Sequence, residues 1–172
     1  VIDPAVEAAA RATKNGNIGI IATPSTIASG AYEQALLAQN PDFRVTSQAC
    51  ALFVPLVENG FVDADDPIPR LTAERYLAPI RESGADTLIL GCTHFPLLAG
   101  AIARVLPGVT LINSGREAAR LLAGQLPAAR LGERGSVRYY VSDSVPDFAR
   151  LASIFLGGPV DADVERVEIE EF

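Results

Sequence analysis

Apolar runs of strand length alternate with longer segments of helical spacing along most of this 172-residue chain. The runs lie at residues 18–23, 85–91 and 109–113, with weaker candidates at 44–49, 137–142 and 164–169. This alternation is typical of βαβ units, in which the strands are parallel and the helices cover the sheet. We therefore predict an α/β fold, a doubly wound and mostly parallel sheet.

Local signals predict the bounds of the other elements. Thr23-Pro24 begins a helix that we expect to continue to residue 37 or 38, because hydroxyl residues cap helices and proline is tolerated in the first turn. Residues 1–4 look like the end of a strand, and residues 61–69 look like a loop because they hold three aspartates and two prolines. Further helices are predicted at 5–13, 50–59, 71–83, 95–105, 114–126 and 145–156, and a loop at 132–136.

Composition and charge argue against several classes of function. A net charge of −7 and a pI near 4.7 leave no basic surface for nucleic acid. The apolar runs are too short to span a membrane, and no secretion signal is recognisable, so we expect a cytoplasmic protein. Cys50 and Cys92 lack CxxC spacing and the chain has one histidine, so we predict neither a zinc site nor a disulfide.

Residues 85–98 place reactive side chains directly behind an apolar run. The strand candidate ends at Gly91, and Cys92, Thr93 and His94 follow before a helix-like pattern begins. Ligands collect at the carboxyl ends of strands in open α/β sheets, and the start of a helix favours a thiolate. Free cysteines more often pack in cores, but this position predicts that Cys92 is reactive and that His94 shares its pocket.

Other polar residues each allow two interpretations. Glu58 ends an apolar helix, where its charge opposes the helix dipole, so it is either a solvated charge or a functional one. Thr23 and Thr26 lie at a strand-to-helix junction and either cap the helix or present hydroxyls to a ligand carboxylate. Cys50 has apolar neighbours in sequence, which favours a buried packing role.

Three segments, in this order along the chain, resemble motifs of bacterial glutamate racemases. They are residues 20–27 (IIATPSTI), 53–60 (FVPLVENG) and 88–98 (LILGCTHFPLL). In the third segment histidine follows Cys-Thr, where the related aspartate racemases typically carry glutamate. The resemblance covers nearly the whole chain. It implies a racemase-like fold with one complete lobe, residues 15–113, and part of a second lobe, residues 1–14 and 114–172.

The resemblance implies cofactor-independent interconversion of L- and D-glutamate, which supplies D-glutamate for peptidoglycan, cell-wall biogenesis and cell shape. In the mechanism that the resemblance implies, two cysteines of the complete enzyme face opposite sides of the substrate Cα. One thiolate removes the α-proton, and the other thiol returns a proton. Cys92 matches the second cysteine, His94 the residue that assists it, and Glu58 an acidic residue that influences proton transfer. The substrate-binding positions of the family match Thr23, Thr26, Thr93 and His94, and no metal is implied.

Two departures from the family pattern matter. The family's first cysteine lies in an Ala-Cys-Asn-Thr-type motif, and neither that motif nor the family's aspartate–serine loop has a counterpart here. Cys50 matches a different family position, in the glutamate-bearing helix. We therefore expect this chain to be a piece of a longer enzyme and to be inactive alone. Asn113 stands where aspartate is commoner.

Two alternative functions stay open. One is racemisation of aspartate or a related acidic compound, against which His94 argues. The other is a truncated, non-catalytic binding partner. We expect a small-molecule amino acid as the partner, glutamate first, with no nucleic acid and no membrane. A homodimer is one assembly to test.

Overall fold

Four parallel strands form the sheet of the first of two units, Val1–Leu126 and Pro127–Phe172, into which the chain divides. The computed structural model describes residues 1–126, 136–160 and 162–168. The strands are β1 (Asn17–Ala22), β2 (Arg44–Ala49), β3 (Thr87–Leu90) and β4 (Thr110–Asn113). Their order across the sheet is β2-β1-β3-β4, and every pairing is parallel. The prediction of a parallel α/β fold is confirmed.

Helices connect the strands of this unit. They are α1 (Ile2–Ala12), α2 (Pro24–Ser29), α3 (Ala31–Gln39), α4 (Phe53–Glu58), α5 (Pro67–Glu82), a 3-10 helix (Phe95–Leu98), α6 (Ala99–Val105) and α7 (Ser114–Gln125). Within the described part of the chain, no helix combines the length and the apolar character needed to cross a membrane.

The sheet buries side chains on both faces, as a doubly wound sheet must. Successive side chains of a strand point to opposite faces, so Leu88 and Leu90 belong to one apolar cluster and Ile89 to the other. The first cluster includes buried residues of α4, α5 and α6, and the second includes those of α1 and α3. Both central strands are therefore shielded from water, which is why residues 20–22 and 88–90 are apolar without alternation.

Several predicted element bounds were wrong, and the helix predicted over 50–59 covers only Phe53–Glu58. Residues 1–4 are not the end of a strand, because α1 begins at Ile2: Asp3 suits the positive helix start, and Pro4 is tolerated in the first turn. The predicted loop 61–69 ends early, because the Asp66 carboxylate accepts a hydrogen bond from the Ile68 amide at 2.8 Å and caps α5. The helix predicted over 95–105 opens with the 3-10 turn.

The helix predicted from Pro24 to residue 37 or 38 is two helices. Gly30 adopts φ +65°, a left-handed conformation that ends α2 and begins α3. Glycine takes this conformation at little cost because it lacks a Cβ. The direction of the chain therefore changes between Thr26 and Tyr32.

Asp86 fixes the entry into β3. Its carboxylate accepts hydrogen bonds from the Thr13 hydroxyl at 2.7 Å and from the amides of Lys14 and Asn15 at 2.7 and 2.9 Å. The Thr87 hydroxyl is a fourth donor at 2.9 Å. Burial acts to raise the pKa of Asp86, but these hydrogen bonds outweigh it, so the pKa lies below its ordinary value of 3.8.

The second unit contains a parallel pair of strands, β5 (Arg138–Val141) and β6 (Asp163–Arg166), joined through α8 (Val145–Leu156). Ser144 caps α8 by accepting a hydrogen bond from the Asp147 amide at 3.3 Å, and Gly157 ends it at φ +70°. The helix and both strands were predicted. Most of the predicted loop 132–136 and residue 169 of the last strand candidate lie outside the described residues. The predicted division into lobes concerns a longer enzyme and stays a prediction.

Candidate active site

The carboxyl ends of β1 and β3 lie side by side in the middle of the sheet. The chain leaves β1 toward β2 on one side, returns to β3, and leaves β3 toward β4 on the other side. The connections from β1 and β3 therefore run in opposite directions. Such a switch point opens a crevice at the carboxyl ends of the two strands, where open α/β sheets bind ligands. Thr23 follows β1 here, and Gly91-Cys92 follow β3.

Cys92 lies half-buried in the turn after β3, beside the His94 imidazole. The His94 Nδ1 atom is 4.0 Å from the Cys92 sulfur and 3.1 Å from the Thr93 hydroxyl. His94 also precedes the 3-10 helix, so the turn and the helix start hold its ring in place. The structure therefore brings together the thiol and the imidazole that the sequence predicted to share a pocket.

Glu58 joins this group from the end of α4. Its Oε1 atom is 3.3 Å from His94 Nε2, and the two side chains are 43% and 20% exposed. A carboxylate at Nε2 favours the tautomer that carries its proton there, which leaves the Nδ1 lone pair for the sulfur and hydroxyl. Glu58, His94 and Cys92 are therefore connected in series. In this arrangement the Glu58 carboxylate can stabilise the positive charge of a protonated His94 imidazole.

Thr23 and Thr26 lie at the end of the neighbouring strand. Their hydroxyl oxygens are 3.0 Å apart, and Thr23 is also 3.3 Å from the Ser25 hydroxyl. Among the described residues, the Thr23 side chain makes no capping hydrogen bond to α2. The capping interpretation is therefore wrong for Thr23. The hydroxyl pair instead lies beside the crevice as a polar group.

Cys50 is a packing residue, as predicted. It follows β2, its side chain is fully buried in an apolar cluster, and its amide bonds to the Ala22 carbonyl at 2.9 Å. Burial raises the pKa of the Cys50 thiol to about 12. Both cysteines are free thiols, and they differ sharply in access to solvent.

Sequence reasoning missed two buried side chains beside the Cys92 turn. Ser114 donates a hydrogen bond from its hydroxyl to the Leu90 carbonyl at 2.8 Å, and the Tyr32 ring packs against Gly91. Ser114 directly follows β4, so the rule that functional residues follow parallel strands could have found it. Tyr32 carries no such signal. Asn113 caps α7 by accepting from the Arg116 amide at 3.0 Å, as an aspartate could.

Across residues 1–126, 136–160 and 162–168, no group of three or more histidine, cysteine or carboxylate side chains is arranged to hold a metal ion. The chemistry of the crevice residues themselves is that of proton transfer. A thiol, an imidazole and a carboxylate are in series, and the Thr93 hydroxyl lies beside the imidazole.

The profile of the Asp/Glu/hydantoin racemase family matches residues 1–122. A glutamate racemase of Geobacter metallireducens is 42% identical over 175 residues, which is 99% of this chain and 64% of that protein. The glutamate racemase of Francisella tularensis, solved in complex with D-glutamate, is 32% identical with a TM-score of 0.85, over 99% of this chain and 64% of that one.

A further solved structure agrees. The glutamate racemase of Thermus thermophilus, in complex with β-chloro-D-alanine, is 40% identical with a TM-score of 0.81, over 99% of this chain and 62% of that one. The chain thus spans less than two thirds of the length of these relatives. Because the family profile covers most of the chain and the solved structures share its fold, this chain belongs to the Asp/Glu/hydantoin racemase family.

Proposed function

We propose that Cys92 is one of the two acid/base residues of a cofactor-independent racemase that interconverts L- and D-glutamate. The observation that carries this proposal is the connected series of Cys92, His94 and Glu58 at the switch point of the sheet. The relatives named above support glutamate as the substrate, and one of them was solved with D-glutamate bound.

The proposed reaction begins at the Cα–H bond of the amino acid. With L- or D-glutamate, according to which face it meets, the Cys92 thiolate takes the α-proton and becomes a thiol. The electron pair of the broken bond is delocalised into the α-carboxylate. A second thiol then gives its proton to the opposite face of Cα and becomes a thiolate. In the reverse direction Cys92 is the acid.

His94 and Glu58 assist this transfer. The imidazole Nδ1 faces the Cys92 sulfur, so it can hold the thiol proton when the thiolate forms, and the Glu58 carboxylate stabilises the resulting imidazolium. We assign substrate binding to Thr93, Thr23 and Thr26. Their hydroxyls can donate hydrogen bonds to the substrate carboxylates.

These 172 residues supply one accessible thiol. Cys50, the other cysteine, is buried and its pKa is raised to about 12, so it cannot act as the second acid/base residue. We therefore propose that the chain alone does not racemise and that residues 15–113 act as one lobe of the longer enzyme. In the cell we propose a cytoplasmic role in supplying D-glutamate for peptidoglycan, and hence in cell-wall biogenesis and cell shape, with a homodimer as the assembly to test.

Circular dichroism of L-glutamate tests the proposal. Two polypeptides are compared: the 172-residue chain, and an extended chain in which it is joined to the part of the Geobacter metallireducens relative that has no counterpart in it. We expect turnover by the extended chain, loss of turnover in its Cys92→Ser variant, and none by the 172 residues alone.

The same assay with L-aspartate separates the alternatives. A folded extended chain that racemises aspartate but not glutamate would contradict the substrate assignment. A folded extended chain that is inactive on both would support a non-catalytic binding partner. Enzyme-like turnover by the 172 residues alone would overturn the claim that a second thiol is needed.

A further inference from the structure

Tyr32, from α3, is buried against the turn that carries Cys92. Its side chain is 5% exposed. A Cβ built on Gly91 would lie 3.1 Å from the Tyr32 Cε2 atom, which is nearer than side chains normally approach. Cε2 neighbours the ring carbon that bears the hydroxyl, so the hydroxyl end of the ring is the part beside the turn. Gly91 precedes Cys92, and the phenol therefore lies next to the backbone that positions the thiol.

Ser114 connects the phenol to the end of β3. Its hydroxyl is 4% exposed and donates to the Leu90 carbonyl at 2.8 Å. The same hydroxyl acts on the Tyr32 phenol as a side-chain hydrogen-bond partner that lowers the pKa of the phenol, against the larger effect of burial. Buried hydroxyls joined in series restrict one another, because breaking one link leaves a buried polar group unpaired. Tyr32 and Ser114 thus hold the last carbonyl of β3, two residues before Cys92.

The electrostatic environment of Tyr32 links it to the thiol. Burial raises the pKa of Tyr32, the Ser114 hydrogen bond partly opposes this, and negative charge on Cys92 raises it further. The phenol is therefore a neutral, polar group at neutral pH. His94 Nδ1, at 4.0 Å, is a further polar group beside the sulfur, and Glu58 contacts the other ring nitrogen of His94.

We propose that Tyr32 is a positioning residue for Cys92. Its ring fixes the Gly91 turn, and its hydroxyl, held by Ser114, is a polar group beside the thiolate. This inference rests on the proposed role of Cys92 as an acid/base residue. It assigns Tyr32 a role through Cys92 rather than through contact with the substrate.

Thiol labelling of the 172-residue chain tests the inference without racemase activity. Iodoacetamide labelling of Cys92 and Cys50 is followed separately by mass spectrometry of the two peptides, at pH 7 and at pH 10. Cys50 is fully buried, so its labelling reports global unfolding in the same sample. The variants are Tyr32→Phe, Ser114→Ala and the double variant. Tyr76→Phe is the matched control, because it removes a tyrosine hydroxyl that accepts from the Leu52 amide at 3.2 Å.

Phenylalanine keeps the ring but removes the hydroxyl, so the surroundings of the sulfur become less polar, which disfavours the charged thiolate. We expect Tyr32→Phe to slow Cys92 labelling at pH 7 by about threefold or more, with little change at pH 10, where an ordinary thiol is mostly ionised. Ser114→Ala should act in the same direction. The double variant should be no slower than Tyr32→Phe alone, because both changes break one series of hydrogen bonds. Tyr76→Phe should label as the unmodified chain does.

Unchanged Cys92 labelling at pH 7 in both single variants would overturn the inference. So would Cys50 labelling that rises with that of Cys92, since the role would then be general stability. Should Tyr32→Phe fail to fold, Ser114→Ala decides alone. Labelling as expected, combined with an extended chain that does not racemise, would refute the proposed function and leave the placement of Tyr32 intact.

Discussion

The Nε2 atom of His94 lies 3.3 Å from the Oε1 atom of Glu58. This contact connects the end of α4 to the turn after β3, two segments that are 36 positions apart in the chain (94 − 58). It orients the imidazole so that Nδ1 faces the Cys92 sulfur. Glu58 therefore reaches the thiol through the histidine, and the consequences of removing its charge can be separated from those of removing the thiol.

Glu58→Gln in the extended chain should lower kcat for glutamate by about tenfold or more, because a neutral amide cannot stabilise an imidazolium during proton transfer. KM should change less. The free energy of unfolding should change by less than about 1 kcal/mol, since both side chains are partly exposed and water screens the pair. Racemase kinetics and urea unfolding measure the two effects. Glu74→Gln, which removes an exposed pair with Arg70 at 3.6 Å, is the control. An unchanged kcat in Glu58→Gln would contradict its assignment.

Cys92→Ser in the extended chain should abolish exchange of the α-proton for one enantiomer of glutamate far more than for the other. In the proposed mechanism each thiol abstracts from one face, so removing one base leaves the opposite face still able to exchange. Proton NMR in D₂O, started separately from L- and D-glutamate, measures this. Cys50→Ala should leave both exchange rates intact, because Cys50 is a buried packing residue. Equal loss for both enantiomers in Cys92→Ser would contradict the two-thiol mechanism.

Asp86→Asn should destabilise the chain in a pH-dependent way. The folded pKa of Asp86 is lowered, so the carboxylate contributes its stability above the ordinary pKa of 3.8 and loses it as the pH falls through the folded value. We expect the variant to lose about 1 kcal/mol at pH 7, a value reduced by solvent screening. The difference should shrink as the pH falls through the unfolded and then the folded pKa of Asp86.

Urea unfolding at several pH values measures the effect of Asp86→Asn. Asp63→Asn is the control, because Asp63 is exposed and accepts a single local hydrogen bond from the Asp65 amide at 2.9 Å. A destabilisation by Asp86→Asn that is the same at pH 3 as at pH 7 would mean that the charge of Asp86 is not its source.

Gly91→Ala should destabilise the chain by about 1–3 kcal/mol, because the added methyl group is crowded. It would meet the Ile21 carbonyl at 3.1 Å, the Tyr32 ring at 3.1 Å and the Ala22 Cβ at 3.2 Å. Gly124→Ala in α7 is the matched control, since its Cβ would meet nothing within 4 Å. That change should stabilise the helix by about 0.5–1 kcal/mol. Thermal and urea unfolding measure both. A neutral Gly91→Ala would show that the turn can move away from Tyr32.

The central strands could be predicted from sequence because both of their faces are buried. Residues 88–90 are apolar without alternation, which a fully covered parallel strand requires. The end of α2 could not be predicted in the same way. Gly30 follows a helix-forming segment, and an isolated glycine there is compatible with a continued helix. Only packing of α3 against the sheet decides that the chain turns.

The site divides similarly into local and long-range parts. Cys92 and His94 are two residues apart, so their proximity follows from the sequence itself. The contact of Glu58 with His94 depends on how α4 packs, and the residues alone left its role undecided. Tyr32 and Ser114 reach the same turn from two other elements, and their contacts with residues 90 and 91 arise only when the sheet assembles.

The left-handed conformation of Gly30 separates the directions in which Thr26 of α2 and Tyr32 of α3 project. In an unbroken helix, Thr26 and Tyr32 would be separated by six residues and about 240° around the axis. Their relative directions would then be fixed by helix geometry. With the break, Thr26 is partly exposed near the carboxyl end of β1, while Tyr32 is buried. The residue that we propose binds the substrate and the residue that we propose positions the thiol can thus change independently, although they are near neighbours in the chain.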